Sequence, residues 1–276
     1  MDLYQLLIHP LTYDFMQRAM IATLLIAAIS GVIGCFIVVR GMSFFGEALG
    51  HSILPGVAVA YIFGANLFIG GLIAGVITAL GIGLLSGRGR LREDTAIGVV
   101  FVGMFALGIV IISTAKSFAV DLTHILFGNV LGVRPSDLIT VAISGVVVIG
   151  AIILFYKELL AQSFDPGLMA TLKLPGEALR LLLLVLIAVT IVASLQTVGI
   201  ALMLAMLITP AATAQLLVKR MHHMMIVAAL IGMISGVIGL YLSWQFNIPS
   251  GAIIVLTTTA LFLIVFAFTR LRGLAE

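Results

Sequence analysis

Glu47 and His51 stand four residues apart in a largely apolar run, and Pro55 follows after four more. On a helix this spacing puts a carboxylate and an imidazole on one face, where an oxygen and a nitrogen converge on one cation. The same spacing also suits a plain Glu–His hydrogen bond at a membrane boundary, or a carboxylate favoured by the dipole of a helix start. Ionisable groups in a bilayer cost about 2.5–3.5 kcal/mol at a helix centre, which adds weight to ligation without excluding the alternatives. Pro55 lacks an amide hydrogen and can open the backbone there. Two ligands leave a coordination shell incomplete, so further groups must come from elsewhere in the chain or from a second copy of it.

Other polar residues carry weaker signals. Asp121 and His124, three apart in a polar connection, either line a way in for an ion or are simply solvated, and for direct ligation the solvated reading is favoured. Thr209-Pro210 interrupts an apolar run and frees a carbonyl that Thr209, Thr213 or a passing ion can use, a structural kink being the simpler account. His222 and His223 fit a membrane interface, and His9 fits solvent. The single cysteine, Cys35, excludes an intramolecular disulfide and a Cys-rich metal cluster. No G-x-x-x-x-G-K-[ST] sequence is present, so the chain does not itself bind ATP in a P-loop, and no H-E-x-x-H supports an intramembrane zinc protease. No cofactor fingerprint is visible, and no stably bound cofactor is expected.

The elements that must position these residues follow from composition. Of 276 residues, 62% are hydrophobic and 9% charged, against roughly a quarter charged in a soluble domain. A bilayer crossing needs about 20 apolar residues in helical form, because every backbone polar group must be satisfied within the segment. The sequence predicts an all-α polytopic membrane protein with about nine crossings (eight to ten), near 16–39, 47–66, 68–86, 95–115, 138–156, 179–196, 198–218, 224–243 and 251–269, forming one membrane domain over residues 1–276. The first apolar segment lacks the features of a cleaved leader and is expected to be retained. Eleven of the fourteen Lys and Arg residues fall in alternate connections, leaving only Arg18, Lys116 and Arg134 on the other side. Positive charge is retained on the cytoplasmic side, which predicts the N-terminus outside and the C-terminus inside. The basic residues sit in short clusters and give a net charge of only +3, which argues against nucleic acid as a partner.

Two connections exceed a turn. Residues 116–137 lie outside on this topology and suit a short helix folded back into the protein. Residues 160–178 lie inside and mix polar with apolar side chains, as a surface helix docking on a cytoplasmic partner would. The hexamer Ile-Ser-Gly-Val-Ile-Gly occurs at Ile29–Gly34 and at Ile234–Gly239. Close packing of small residues explains it more simply than an inverted repeat.

Four ordered segments are similar to one family across nearly the whole chain: Gly34 to Gly56 with Arg40, Glu47, His51 and Pro55; Asp94 to Gly98; Asp121 to Asn129; and Ala205 to Ala214. The sequence resembles the membrane permease of bacterial ABC-type importers for manganese, zinc and related divalent ions. That resemblance implies a type II ABC importer-like permease in the bacterial cytoplasmic membrane, working as a homodimer with the ion path along its axis. It further implies a cytoplasmic ATPase in two copies and an extracytoplasmic solute-binding protein that delivers the metal. The family's intramembrane metal ligands fall on Glu47 and His51, while Asp121, His124 and Thr209 stay candidates for the route on their residue types alone. The coupling segment falls within Ser163 to Gly176, where Phe164, Asp165, Met169 and Leu172 would contact the ATPase. The position of Glu47 often carries aspartate in the family, so the added methylene bears on metal position and preference. Asp121 to Asn129 is most similar to the manganese branch, so Mn²⁺ is the expected cargo, with Zn²⁺ or Fe²⁺ as the alternatives. A stand-alone ion-coupled transporter, with Glu47 as proton carrier, is the rival from another class.

Overall fold

The structure, a computed structural model, describes residues 9–87, 91–114, 130–164, 167, 169 and 174–273. Among them no strand occurs. Nine helical segments are long and apolar enough to cross a membrane, and they coincide with the nine predicted crossings to within a few residues. The elements are α1 (Asp14–Val39), α2 (Ser43–Ser52), α3 (Leu54–Ile62), α4 (Leu67–Ser86), α5 (Glu93–Ser113), α6 (Pro135–Leu154), α7 (Tyr156–Phe164), α8 (Gly176–Val198), α9 (Ile200–Leu217), α10 (Met221–Phe246) and α11 (Ser250–Gly273), with 3₁₀ turns at His9–Thr12 and Val130–Gly132. The second crossing is made by α2 and α3 together. With 26 residues α1 reaches about 39 Å, ample for a hydrocarbon core of about 30 Å.

Local chemistry sets where the helices begin and end. Asn66 caps α4 by accepting a hydrogen bond from the Phe68 amide at 2.8 Å. Pro135 opens α6, and Asp137 two residues on accepts from the Arg134 amide at 3.0 Å, so a free amide at the helix start is satisfied. Inside the apolar helices, several hydroxyls are satisfied within their own helix, though Thr23, Ser30 and Thr78 are buried without a partner among the described residues. Thr190, Ser235 and Thr258 each donate to the carbonyl four residues back. Pro210 sits inside a continuous α9, with Thr213 donating to the Thr209 carbonyl at 2.7 Å.

The chain forms two compact units. The first comprises Met1–Val38, His124–Val146 and Ser194–Glu276. In it α9, α10 and α11 pack on one another, and α1 approaches α9 and α10 through glycine. A Cβ at Gly31 would lie 2.7 Å from the Ala229 nitrogen, and one at Gly34 would collide with the Leu207 carbonyl oxygen. In the second hexamer Gly236 faces Thr23 and Gly239 faces Ile254. Both hexamers therefore serve close helix packing, where small residues let backbones approach. Tyr13, Phe15 and Trp244 gather where α1 begins and α10 ends, with the Tyr13 and Trp244 rings 5.2 Å apart, as aromatic side chains do at a membrane interface.

Gly199, which joins α8 to α9 in this unit, has φ +82° and ψ 169°. Side chains are almost excluded from that region, at a cost of about 1–3 kcal/mol. Gly199→Ala is expected to lower stability by about that amount, read as a lower thermal unfolding midpoint in detergent. An unchanged midpoint would refute the assignment of strain.

The second unit comprises Val39–Thr123 and Val147–Ala193. Here α3 crosses α4 where Gly56 and Gly70 meet backbone to backbone, and α5 packs across α2, α3 and α4. Gly75 of α4 lies against Val192 of α8, and Gly83 against Leu181. At one end of the unit Arg40, the end of α4 and the starts of α5 and α8 come together, as successive crossings of alternating direction require. Arg180 donates to the Gly83 carbonyl and to Ser86 Oγ at 2.9 Å. It also pairs with Glu177 at 3.2 Å and with Glu93 at 3.8 Å, while Arg40 reaches Glu93 at 3.6 Å.

Candidate metal site

The short helix α2 forms just after Gly41, whose φ of +69° turns the chain out of α1. One face of α2 is packed away through Phe45, Gly46, Ala48, Leu49 and Ser52. The opposite face carries Phe44 and Glu47, both exposed, and the half-buried His51. The structure thus places the two predicted ligands on one face of one helix, with the carboxylate on the free surface of the chain. Glu47 takes part in no ion pair among the described residues.

The helix stops at Ser52, one residue beyond His51. Ile53 is a turn residue, and α3 begins at Leu54 with Pro55 in its first turn. Proline at 55 cannot supply the amide that would bond the His51 carbonyl, and the Ile53 amide turns toward that carbonyl instead. Ser52 Oγ donates to the Ala48 carbonyl at 2.7 Å, which satisfies the hydroxyl next to the break. A break immediately after the Glu47/His51 pair leaves polar backbone beside it, which a membrane tolerates only where protein or a polar path covers it.

An aromatic wall borders His51. Its ring lies 5.7 Å from Phe105, edge on, and 6.1 Å from Phe101, and Phe101 in turn meets Phe44 at 6.2 Å. Phe101 and Phe105 are one turn apart on α5, so they present a continuous apolar surface that limits how the imidazole can rotate. Four-residue spacing of phenylalanines on a crossing helix was the available sequence signal. It says nothing by itself of which neighbour the rings face.

Carboxylate oxygen and imidazole nitrogen together suit a borderline divalent transition metal. The described residues contain no group of three or more His, Cys, Asp or Glu side chains able to hold a metal. Among the described residues Glu47 and His51 thus stand as a pair with no third candidate ligand beside them. A cavity of about 520 Å³ bounded by α3, α4 and α5 is lined by Pro55, Val59, Ile73, Met104, Leu107 and Ile111 and offers hydrocarbon rather than ligands.

Of the remaining candidates, Asp121, His124, Asp165 and Leu172 lie outside the described residues. Thr209 belongs to the first unit, whereas Glu47 and His51 belong to the second. Phe164, at the end of α7, is 61% exposed, but Met169 is 2% exposed and packs at 3.3 Å from where a Gly176 Cβ would stand. Within the predicted docking segment, then, Phe164 offers free surface, while Met169 holds the segment together from inside. His222 and His223 are exposed at the start of α10, and His9 is exposed near the N-terminus.

Sequence reasoning overlooked the ionic cluster at the end of the second unit. Its members are scattered basic and acidic residues that look like topology signals. Arg40 and Arg180 have side chains only 10% and 11% exposed. Burial pulls the Arg40 guanidinium below its ordinary pKa, Glu93 draws it back up and Arg180 pushes it down. A guanidinium stays charged throughout the physiological range regardless, so Arg40 remains a cation.

Comparisons with known proteins bear on the family and the fold. The manganese transport system membrane protein MntC of Listeria monocytogenes is 49% identical over 95% of this chain and 93% of its own length. A Haemophilus influenzae protein named as a probable iron transport system membrane protein is 39% identical, over 98% of this chain and 99% of its own. Among solved structures, PsaBC from Streptococcus pneumoniae in complex with Fab superposes with a TM-score of 0.83 at 38% identity, covering 96% of this chain and 95% of that one. The chain is thus a multi-pass protein of the bacterial inner membrane with the fold of an ABC importer permease. Residues 12–269 match the model described as the ABC 3 transport family, from the start of the first crossing to near the end of the last, and the chain belongs to that family.

Proposed function

We propose that this chain is the membrane subunit of an ATP-driven importer of divalent transition-metal ions, with Mn²⁺ as its cargo and Glu47 and His51 as intramembrane ligands. The observation that carries it is a carboxylate and an imidazole on the free face of a membrane-crossing helix that breaks one residue after Ser52. An exposed carboxylate facing lipid is costly, so that face must be covered. A second copy of the chain covers it and supplies a second Glu47/His51 pair, which turns two ligands into four. Kinship with a protein named for manganese transport favours Mn²⁺, and a relative named for iron keeps Fe²⁺ as the second reading.

The driving force comes from a partner ATPase docked on the inner side, and metal is handed over outside by a solute-binding protein. The whole chain acts as one permease domain with its N-terminus outside, residues 160–178 as the docking segment and residues 116–137 facing the outer side. Phe164, Asp165, Met169 and Leu172 belong to that docking segment, and Asp121, His124 and Thr209 to the ion's route. The deciding experiment is uptake into proteoliposomes carrying the complete complex, with Mn²⁺, Fe²⁺ and Zn²⁺ in competition. Mn²⁺ is expected to enter in an ATP-dependent way and to be displaced least by Zn²⁺. Uptake by the purified chain alone, driven by a proton gradient, would refute the proposal in favour of an ion-coupled carrier.

A further inference from the structure

The ionic cluster of the second unit joins two places that transport must connect. Gly176 and Glu177 open α8 at the end of the docking segment, and Met169 and Gln162 pack against Gly176. One turn into α8, Arg180 is fixed to α4 through the Gly83 carbonyl and Ser86 and to its own helix through Glu177. Arg40, by contrast, pairs among the described residues with Glu93 alone. It stands immediately before Gly41, whose φ is +69° and around which a Cβ would meet nothing within 4 Å. Two residues later α2 begins, bearing Glu47 in its second turn.

The contact between Arg40 and Glu93 is not closed. Their nearest nitrogen and oxygen are 3.6 Å apart, whereas a charge-assisted hydrogen bond is about 2.7–2.9 Å. Arg40 Nη1 and Glu93 Oε1 are both buried without a hydrogen-bond partner. Buried charged atoms in that condition are costly, and a small displacement of either segment would relieve it. Glu93 is shared with Arg180 at 3.8 Å, so a shift of α8 changes how strongly Glu93 holds Arg40.

We infer that Arg40 and Glu93 form a latch that positions the ligand helix α2 according to the state of the docking segment, with Gly41 as its hinge. This rests on the importer reading above. Arg40 and Glu93 are positioning residues, because they act on the metal through α2 and do not touch it. In the absence of the latch, ATP hydrolysis continues while the ligand face no longer follows it.

The test is the number of Mn²⁺ ions carried per ATP hydrolysed by the complete complex in proteoliposomes. Glu93→Gln and Arg40→Gln are each expected to lower that ratio about tenfold, within the usual range of coupling between distant sites, with hydrolysis nearly retained. Glu93→Asp, which keeps the charge, is expected to restore most of it, and the double variant to be no worse than either single one. A merely structural role would lower uptake, hydrolysis and thermal stability together. A wild-type ratio in Arg40→Gln, or losses that multiply in the double variant, would overturn the latch. A wild-type complex that hydrolyses ATP and carries no metal overturns the importer reading instead. In that event amide hydrogen exchange over residues 42–50 still decides the latch. Nucleotide binding should change exchange in the wild type and leave it unchanged in Glu93→Gln, and an equal response in both would overturn it.

Discussion

Glu47→Ala and His51→Ala are each expected to cut Mn²⁺ uptake by the assembled transporter at least about 100-fold, since losing even an outer partner of a metal ligand costs about 10–100-fold. The loss should be one of transport alone. Glu47 is exposed on its own chain and in no ion pair among the described residues, so the fold gives up little when it is shortened. Assembly with the ATPase and thermal stability should stay near the wild-type values. His51→Ala removes an imidazole that lies against Phe101 and Phe105, so a modest drop in stability accompanies it. Glu47→Asp keeps the charge and withdraws the carboxylate by one methylene. It should transport, with an altered order of preference among Mn²⁺, Fe²⁺ and Zn²⁺ in competition. Full uptake by either alanine variant removes the pair from the mechanism.

The second large effect concerns folding. Gly34→Val is expected to leave no folded protein in the membrane, scored as loss of the monodisperse peak in detergent size-exclusion. Its Cβ would strike the Leu207 carbonyl oxygen, and Ala211 Cβ stands 3.2 Å away, so α1 and α9 would have to separate. Overpacking of a core usually costs about 1–3 kcal/mol, and a clash with backbone exceeds what a rotating side chain can relieve. Gly103→Ala on α5 is the matched control. Nothing lies within 4 Å of its Cβ position, and alanine is the better helix former by about 0.5–1 kcal/mol. Wild-type yield of Gly34→Val would show that α1 and α9 are not in backbone contact at Gly34.

How much of this was legible in the sequence differs from feature to feature. The nine crossings were, because an apolar run of bilayer length has only one stable backbone solution and the signal is local. The unorthodox second crossing was visible in Glu47, His51 and Pro55, and the structure adds where it breaks, at Ile53. Gly34 and Gly236 were visible only as a repeated hexamer, since a glycine needed for a close approach looks like any other glycine until the neighbouring helix is in place. Met169 was expected to face the ATPase by its position in the segment, but its side chain turns toward Gly176.

The sequence by itself determined that the chain lives in a bilayer and that two ionisable side chains share one face of a crossing helix, because hydrophobic length and the 3.6-residue period depend on near neighbours alone. Tertiary structure decided the rest. Phe101 and Phe105 come from another crossing to stand against His51, and Arg40, Glu93 and Arg180 meet from three separate segments. Such contacts join residues far apart in the chain. Which charges and rings meet depends on how glycine-lined helices settle against one another, and no local pattern records that outcome.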